Sequence, residues 1–308
     1  MEKKSKEFLE NFITPIKYNE VASQLIEISK QNLKHYNCFC DVKITFDESC
    51  LFGKSASIKN NHISFNKTRL EILNNMKIDC YDDNHLTKIY KFYNSYEEKN
   101  HTEQEKCLYD FMKKYIDNGF ERYFSQMGSY KTIKYELLDT IFHENQHIIQ
   151  NIYKQYLDDI DNCPKDSKTL VLIFTMFFNE IYEYLLKNKV EFDYKRENYI
   201  FPIEFDARYE AMIKLNHIKE KYFSLDKSFS KYIVKSSLIP QKFDIEKTAN
   251  MIFKDFENIY QLYFDNINSN KFKRVYNFIK SYKQTIIKEI VKRYEEMIDI
   301  VQRNAVIE

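Results

Sequence analysis

The chain has 308 residues, 44% hydrophobic and 30% charged, which is enough apolar surface to close a sizeable core and too much for a disordered segment. Its 47 basic and 46 acidic residues leave a formal net charge of +1, which excludes an overall field drawing it to nucleic acid or to an anionic membrane. Gly (3) and Pro (4) are scarce, so few breaks are enforced, and with 25 tyrosines no single one carries much functional information.

The amino-terminal stretch MEKKSKEFLENFITPIKYNEV (Met1–Val21) lacks the apolar core and small-residue cleavage site of a secretory signal, so the expected location is cytoplasmic. Six cysteines without even spacing read as reduced thiols, and the C-x-C of HYNCFC (His35–Cys40) is not a zinc-knuckle pattern. Between about 40 and 66 the pattern alternates: CDVKITF sets Val42, Ile44 and Phe46 against polar neighbours, and SIKNNHISFN carries Ile58, then Ile63 and Phe65, around an Asn60-Asn61 turn. A small sheet of two or three strands is predicted there.

Apolar residues at helical spacing then predict helices over about 68–76, 84–98, 103–117 and 132–158. The next, 167–187, follows CPKDS, where Asp166 or Ser167 can cap the free amides. Its run LVLIFTMFF (Leu170–Phe178) is about half of what a membrane span requires and predicts a helix buried on most sides. KNKVEFDYKREN (Lys187–Asn198) reads as a charged loop or hairpin, 203–222 as a further helix, and amphipathic helices continue to about 304 without an internal repeat. The basic stretch KFKRVYNFIKSYKQTIIKEIVKRY (Lys271–Tyr294) reads as a solvated helix face rather than a nucleic-acid surface. The expected class is mainly α with a small β-sheet (α+β), divided into residues 1–225 and a helical C-terminal extension, 226–308.

The chemistry concentrates in LLDTIFHENQHIIQNIY (Leu137–Tyr153). At 100° per residue, Leu137, Leu138, Ile141, Phe142, Ile148, Ile149, Ile152 and Tyr156 form one broad stripe, while His143 and His147 fall on the opposite side among Glu136, Thr140, Gln150 and Lys154. Histidines at i and i+4 emerge one turn apart on the same face and can ligate one metal; Glu144 lies at the border, where it can reach a metal-bound water. HENQH thus matches H-E-x-x-H, and the chain here resembles the zinc metallopeptidases known as zincins.

A catalytic zinc has three protein ligands and an open fourth position. Downstream, NYIFPIEFDARYEAMIKLNHI (Asn198–Ile218) places Pro202 in a first helical turn and Glu204 on a face with Ala207, Arg208, Ala211, Leu215 and Ile218, where the alanines let a second helix approach and deliver Glu204 into the interior. EFDAR is similar to the third-ligand helix of the gluzincin branch, E-x-[ED]-A-D, through Glu204, Asp206 and Ala207; Arg208 stands where an acidic residue is common. In such enzymes that acid orients a ligand histidine, a role that Asp206 or Glu136 could fill here.

The resemblance covers about residues 57–218. It implies a zincin-like catalytic core in which one Zn2+ is held by His143, His147 and Glu204, Glu144 is the general base, and a peptide bond is hydrolysed in a peptide or protein substrate. It also implies that HISFN is an edge strand pairing with extended substrate. Tyr194, Tyr199, Tyr209 and His217 lie near the third ligand, with His217 and Tyr209 the preferred transition-state stabilisers. Three alternatives stand beside this reading: a catalytically silent or regulatory zincin-like binding protein, a helical interaction protein with an accidental H-E-x-x-H, and a nucleic-acid binder, for which the near-zero net charge is poor support. No nucleic acid and no membrane are expected as partners.

Overall fold

A computed structural model of the chain describes residues 1–48, 55–79, 87, 91–96, 101–115, 128–190, 202–237, 244–267 and 270–306. These are mostly helical and contain one three-stranded sheet, the mainly-α class with a small β component that periodicity predicts. They divide into two compact units. The first is built from Met1–Glu144 and Leu215–Lys235, the second from Asn145–Lys214 and Ser236–Val306.

In the first unit, helix α1 (Glu2–Asn11) packs on α2 (Tyr18–His35), and α2 covers strand β1 (Lys43–Asp47). Strands β2 (Ala56–Lys59) and β3 (His62–Asn66) form a hairpin whose turn holds Asn60 and Asn61 at φ 49° and 60°, a left-handed pair that asparagine tolerates. β1 pairs with β3 in parallel, in a register that aligns Ile44 with Ile63 and Phe46 with Phe65. Ile44, Ile63 and Phe65 are buried, and Phe46 stacks on Phe65 with ring centroids 5.1 Å apart. The sheet order is β1-β3-β2, so β3 is bonded on both sides. This corrects the expectation that HISFN is a free edge: among the described strands the edges belong to β1 and β2.

Helix α3 (Lys67–Asn75) starts directly after β3, with the Asn66 side chain accepting the Arg69 amide at 3.0 Å. Of the helix expected over 84–98, residues 91–95 are helical, 96 is not, and the remainder lies almost wholly outside the described residues. Helix α4 (Glu103–Tyr115) and helix α5 (Ile133–Tyr153) follow; α5 ends five residues short of its predicted limit, in a 3-10 turn over Lys154–Leu157.

The second unit is organised around helix α6 (Ser167–Lys187). Asp166 caps it, its side chain accepting the Thr169 amide at 3.0 Å. Helices α9 (Ile245–Ile267), α10 (Asn270–Ser281) and α11 (Lys283–Ala305) pack against it. Phe174 lies parallel to Phe253 at 5.5 Å, and Phe178 stacks on Phe256 at 5.8 Å. Helix α6 is long and apolar enough to cross a membrane, but 72% of its apolar window is buried inside this core.

Helices α7 (Pro202–Tyr222) and α8 (Lys227–Ser236) complete the described elements. Both α5 and α7 run through the two units: the divisions fall after Glu144 in α5 and after Lys214 in α7. The expected division after residue 225 instead falls inside the first unit, and the C-terminal helices are the packing partners of α6 rather than an appendage. Within the basic stretch, Lys271 and Arg274 are ion-paired with Asp158 and Asp161.

Candidate metal centre

Helix α5 departs from the amphipathic pattern assigned to it. From Thr132 to Gln150 every residue is buried except Lys134, His143 and His147, which are partly exposed. Of the expected apolar stripe, Leu137, Leu138, Ile141, Phe142, Ile148 and Ile149 are in the core, whereas Ile152 is exposed and Tyr156 partly so. The polar face is buried as well, because its groups have partners. In the first unit, Glu136 accepts from Arg69 Nε at 2.9 Å and Ser55 Oγ at 2.8 Å, and Asp139 accepts from the Tyr232 hydroxyl at 2.7 Å. In the second unit, Gln146 and Gln150 both donate to Asp206. Between Tyr135 and Gln150 the two imidazoles are therefore the openings in an otherwise buried stretch of helix.

Pro202 begins α7, where its missing amide costs no hydrogen bond, and Glu204 lies in the first turn. Ala207, Ala211, Leu215 and Ile218 on the same face are buried, but the Glu204 side chain is 53% exposed. Glu204 is thus not delivered into the interior as expected, because it sits at the helix end ahead of the buried residues. His147 Nε2 is 3.7 Å from Glu204 Oε1, and one ligand atom each from His143, His147 and Glu204 lie within 4.8 Å of one another, the one such group among the described residues. His143 is carried to it by the continuity of α5, one turn before His147. Glu144, the next residue, is buried.

Behind His147 stands a layer of hydrogen bonds that orients it. The Gln150 amide nitrogen donates to the Ile203 carbonyl at 2.9 Å and to Asp206 Oδ2 at 2.7 Å, which fixes Gln150 Oε1 as an acceptor. That oxygen lies 2.7 Å from His147 Nδ1. The ring therefore donates from Nδ1, and its neutral form carries the lone pair on Nε2, the atom facing Glu204. Gln146 adds a second amide to Asp206 Oδ2 at 2.9 Å. Asp206 Oδ1 accepts from buried Arg293 on α11, whose Nε is 3.2 Å from Glu289 Oε1, and Glu289 in turn accepts from Ser167 Oγ at 2.9 Å.

Of the two carboxylates left open for the orienting role, Asp206 is the one connected to His147, through Gln150, whereas Glu136 is bonded to Arg69 and Ser55. Sequence places Gln150 on the histidine face without a role, and it gives none to Gln146 or Arg293. Gln150 had a legible signal, a glutamine one turn after a ligand histidine; Arg293 had none.

The preferred transition-state stabilisers are placed elsewhere. The Tyr209 hydroxyl donates to Glu296; burial, and then that carboxylate, push its pKa up. His217 lies nearly four turns past Glu204, about 20 Å along the helix, is exposed, and places Nε2 3.0 Å from Glu2 Oε1. His217 is therefore far along the helix from Glu204 and the Tyr209 hydroxyl is engaged by Glu296, while Tyr194 and Tyr199 lie outside the described residues. Cys38 and Cys40 hold their sulfurs 3.4 Å apart as free thiols, burial pushing Cys38 up to about 11.

What the arrangement offers chemically is two imidazoles and one carboxylate converging from two helices, with a buried glutamate beside the first imidazole. That donor set suits Zn2+, whose three-ligand sites draw on histidine and carboxylate. Comparison of the chain with protein-family models, curated proteins and solved structures gives no match.

Proposed function

We propose that the chain is a zinc-dependent metallopeptidase in which His143, His147 and Glu204 hold one Zn2+ and Glu144 is the general base. The observation that carries this reading is the convergence of the three donors within 4.8 Å, on a helix whose residues from Tyr135 to Gln150 are buried except at the two histidines. Zinc bound there supplies Lewis acidity and a water of lowered pKa.

The remaining work belongs to the chain. Gln150 holds His147 as the Nδ1–H tautomer, so that Nε2 is available without a proton being lost. Glu204, at the mouth, leaves its side of the group open to solvent and hence to an extended peptide. Glu144 accepts a proton from the attacking water and passes it to the departing amine. With β3 paired on both sides, substrate does not add to that strand.

The test is metal content by elemental mass spectrometry on the purified protein, beside His143→Ala, Glu204→Gln and Glu144→Gln variants. Wild type and Glu144→Gln are expected to hold about one zinc per chain. The His143 and Glu204 variants lose or weaken it, and Glu144→Gln alone loses peptide cleavage by about 100-fold or more. A wild type that holds no zinc after zinc is supplied makes HENQH accidental and favours the helical interaction protein.

A further inference from the structure

A second site lies in the first unit and shares no residue with the metal centre. It is a cavity of about 360 Å³, the size of a small-molecule pocket. Its floor is polar and buried: Asp79, Ser129 and Thr132. Its rim carries three lysines, Lys131 from the turn before α5 and Lys227 and Lys231 from the first turns of α8.

The charges do not balance. Lys131 Nζ pairs with Asp79 Oδ2 at 3.0 Å, which accounts for the carboxylate in the lining. Asp226, the next acid along the chain, accepts the Phe229 amide at 3.0 Å and the Tyr135 hydroxyl at 2.5 Å, capping α8. Lys227 and Lys231 are one turn apart on one helix face, and no ion pair engages either among the described residues. Like charges at i and i+4 destabilise a helix, and here a third cation lies across the cavity from them. The Ser129 hydroxyl oxygen already accepts the Lys131 amide at 3.3 Å, which leaves its O–H as a donor toward a guest.

We propose that this cavity binds a phosphomonoester on a small molecule, held by Lys131, Lys227 and Lys231 at the rim with Ser129 beneath. A dianion matches the two uncompensated lysines, and a phosphate's oxygens can accept from several ammonium groups at once. A polynucleotide is a poor fit, because the chain as a whole carries a net charge of only +1 and the basic residues line a cavity rather than a stripe. The phosphate source is either a soluble sugar phosphate or a lipid headgroup.

The probe is ribose 5-phosphate, titrated calorimetrically into the full chain, with ribose as the uncharged control. Vesicles of phosphatidic acid in phosphatidylcholine test the lipid source by co-sedimentation. Two double variants are compared: Lys227→Ala/Lys231→Ala, and Lys247→Ala/Lys254→Ala, which removes the same charge from the exposed face of α9. Wild type and the α9 variant are expected to bind one phosphomonoester per chain and no ribose, with the cavity variant at least about tenfold weaker at an unchanged Tm. Lysine-dependent binding to the vesicles in place of the sugar phosphate assigns the ligand as a headgroup. Binding of neither probe, or equal weakening in both double variants, overturns the site.

Discussion

Gln150 carries two obligations at once, since its oxygen sets the His147 tautomer while its nitrogen serves Asp206. Gln150→Leu removes both. Losses in such supporting residues typically cost 10- to 100-fold in metal affinity, so zinc binding measured against a competing chelator is expected to weaken by about that factor. Asp206→Ala should act on stability as well, because it leaves the buried Arg293 guanidinium without its Asp206 partner and strips two glutamine amides of their acceptor. Breaking a buried pair from one side costs about 3–5 kcal/mol, and urea unfolding is expected to show a loss of that size. In Asp206→Ala/Arg293→Met the loss should be smaller than in Asp206→Ala, because the uncompensated cation is gone; a larger loss would contradict the hub. The His143, His147 and Glu204 cluster was legible in the sequence because helical spacing puts the two histidines on one face. Asp206 was legible only as one of two candidates, and its bond to Arg293, 87 positions further on, has no local signature.

Among helices and strands, the best-read boundary is the start of α6, where Asp166 meets the amide of Thr169. Burial pushes this carboxyl up, but the bonds from the Thr169 backbone and side chain outweigh it and hold the group below the ordinary aspartate value of about 3.9. A depressed pKa contributes stability above the unfolded-state value that is lost as pH falls through the folded one. Asp166→Ala is therefore expected to cost about 1 kcal/mol at neutral pH, a gap from wild type that closes progressively under acid in thermal melts. The β2–β3 turn was also readable, from two adjacent asparagines between alternating runs. Because Asn61 sits at φ 60°, Asn61→Gly should be neutral or stabilising, and Asn61→Val should destabilise by about 1–2 kcal/mol in the same assay. The parallel pairing of β1 with β3 was not readable: alternation fixes which face of a strand is buried, not which strand lies beside it. For α5 the period was right and the amphipathicity wrong, since residues that look solvent-facing, such as Glu136 and Gln146, are buried against partners distant in sequence.

Taken as a whole, the chain does not place the residues of its candidate centre in one segment and their supporting helices in another. Helices α9, α10 and α11 cover α6, and α11 supplies Arg293 to Asp206. A chain truncated after Lys235 is accordingly expected to lose cooperative unfolding by circular dichroism and to bind zinc weakly, whereas a dispensable extension would leave both intact. Linear reading placed the division at residue 225 because motifs stop there, but packing follows buried area rather than motifs. The Asp206 hub has a historical corollary. With one oxygen serving two amides and the other a buried guanidinium, positions 146, 150, 206 and 293 are tied into a single unit of inheritance. A descendant that neutralises residue 206 should have surrendered the arginine at 293 as well, and the trace of that joint change, more than the H-E-x-x-H itself, would mark which lineages have let the centre go.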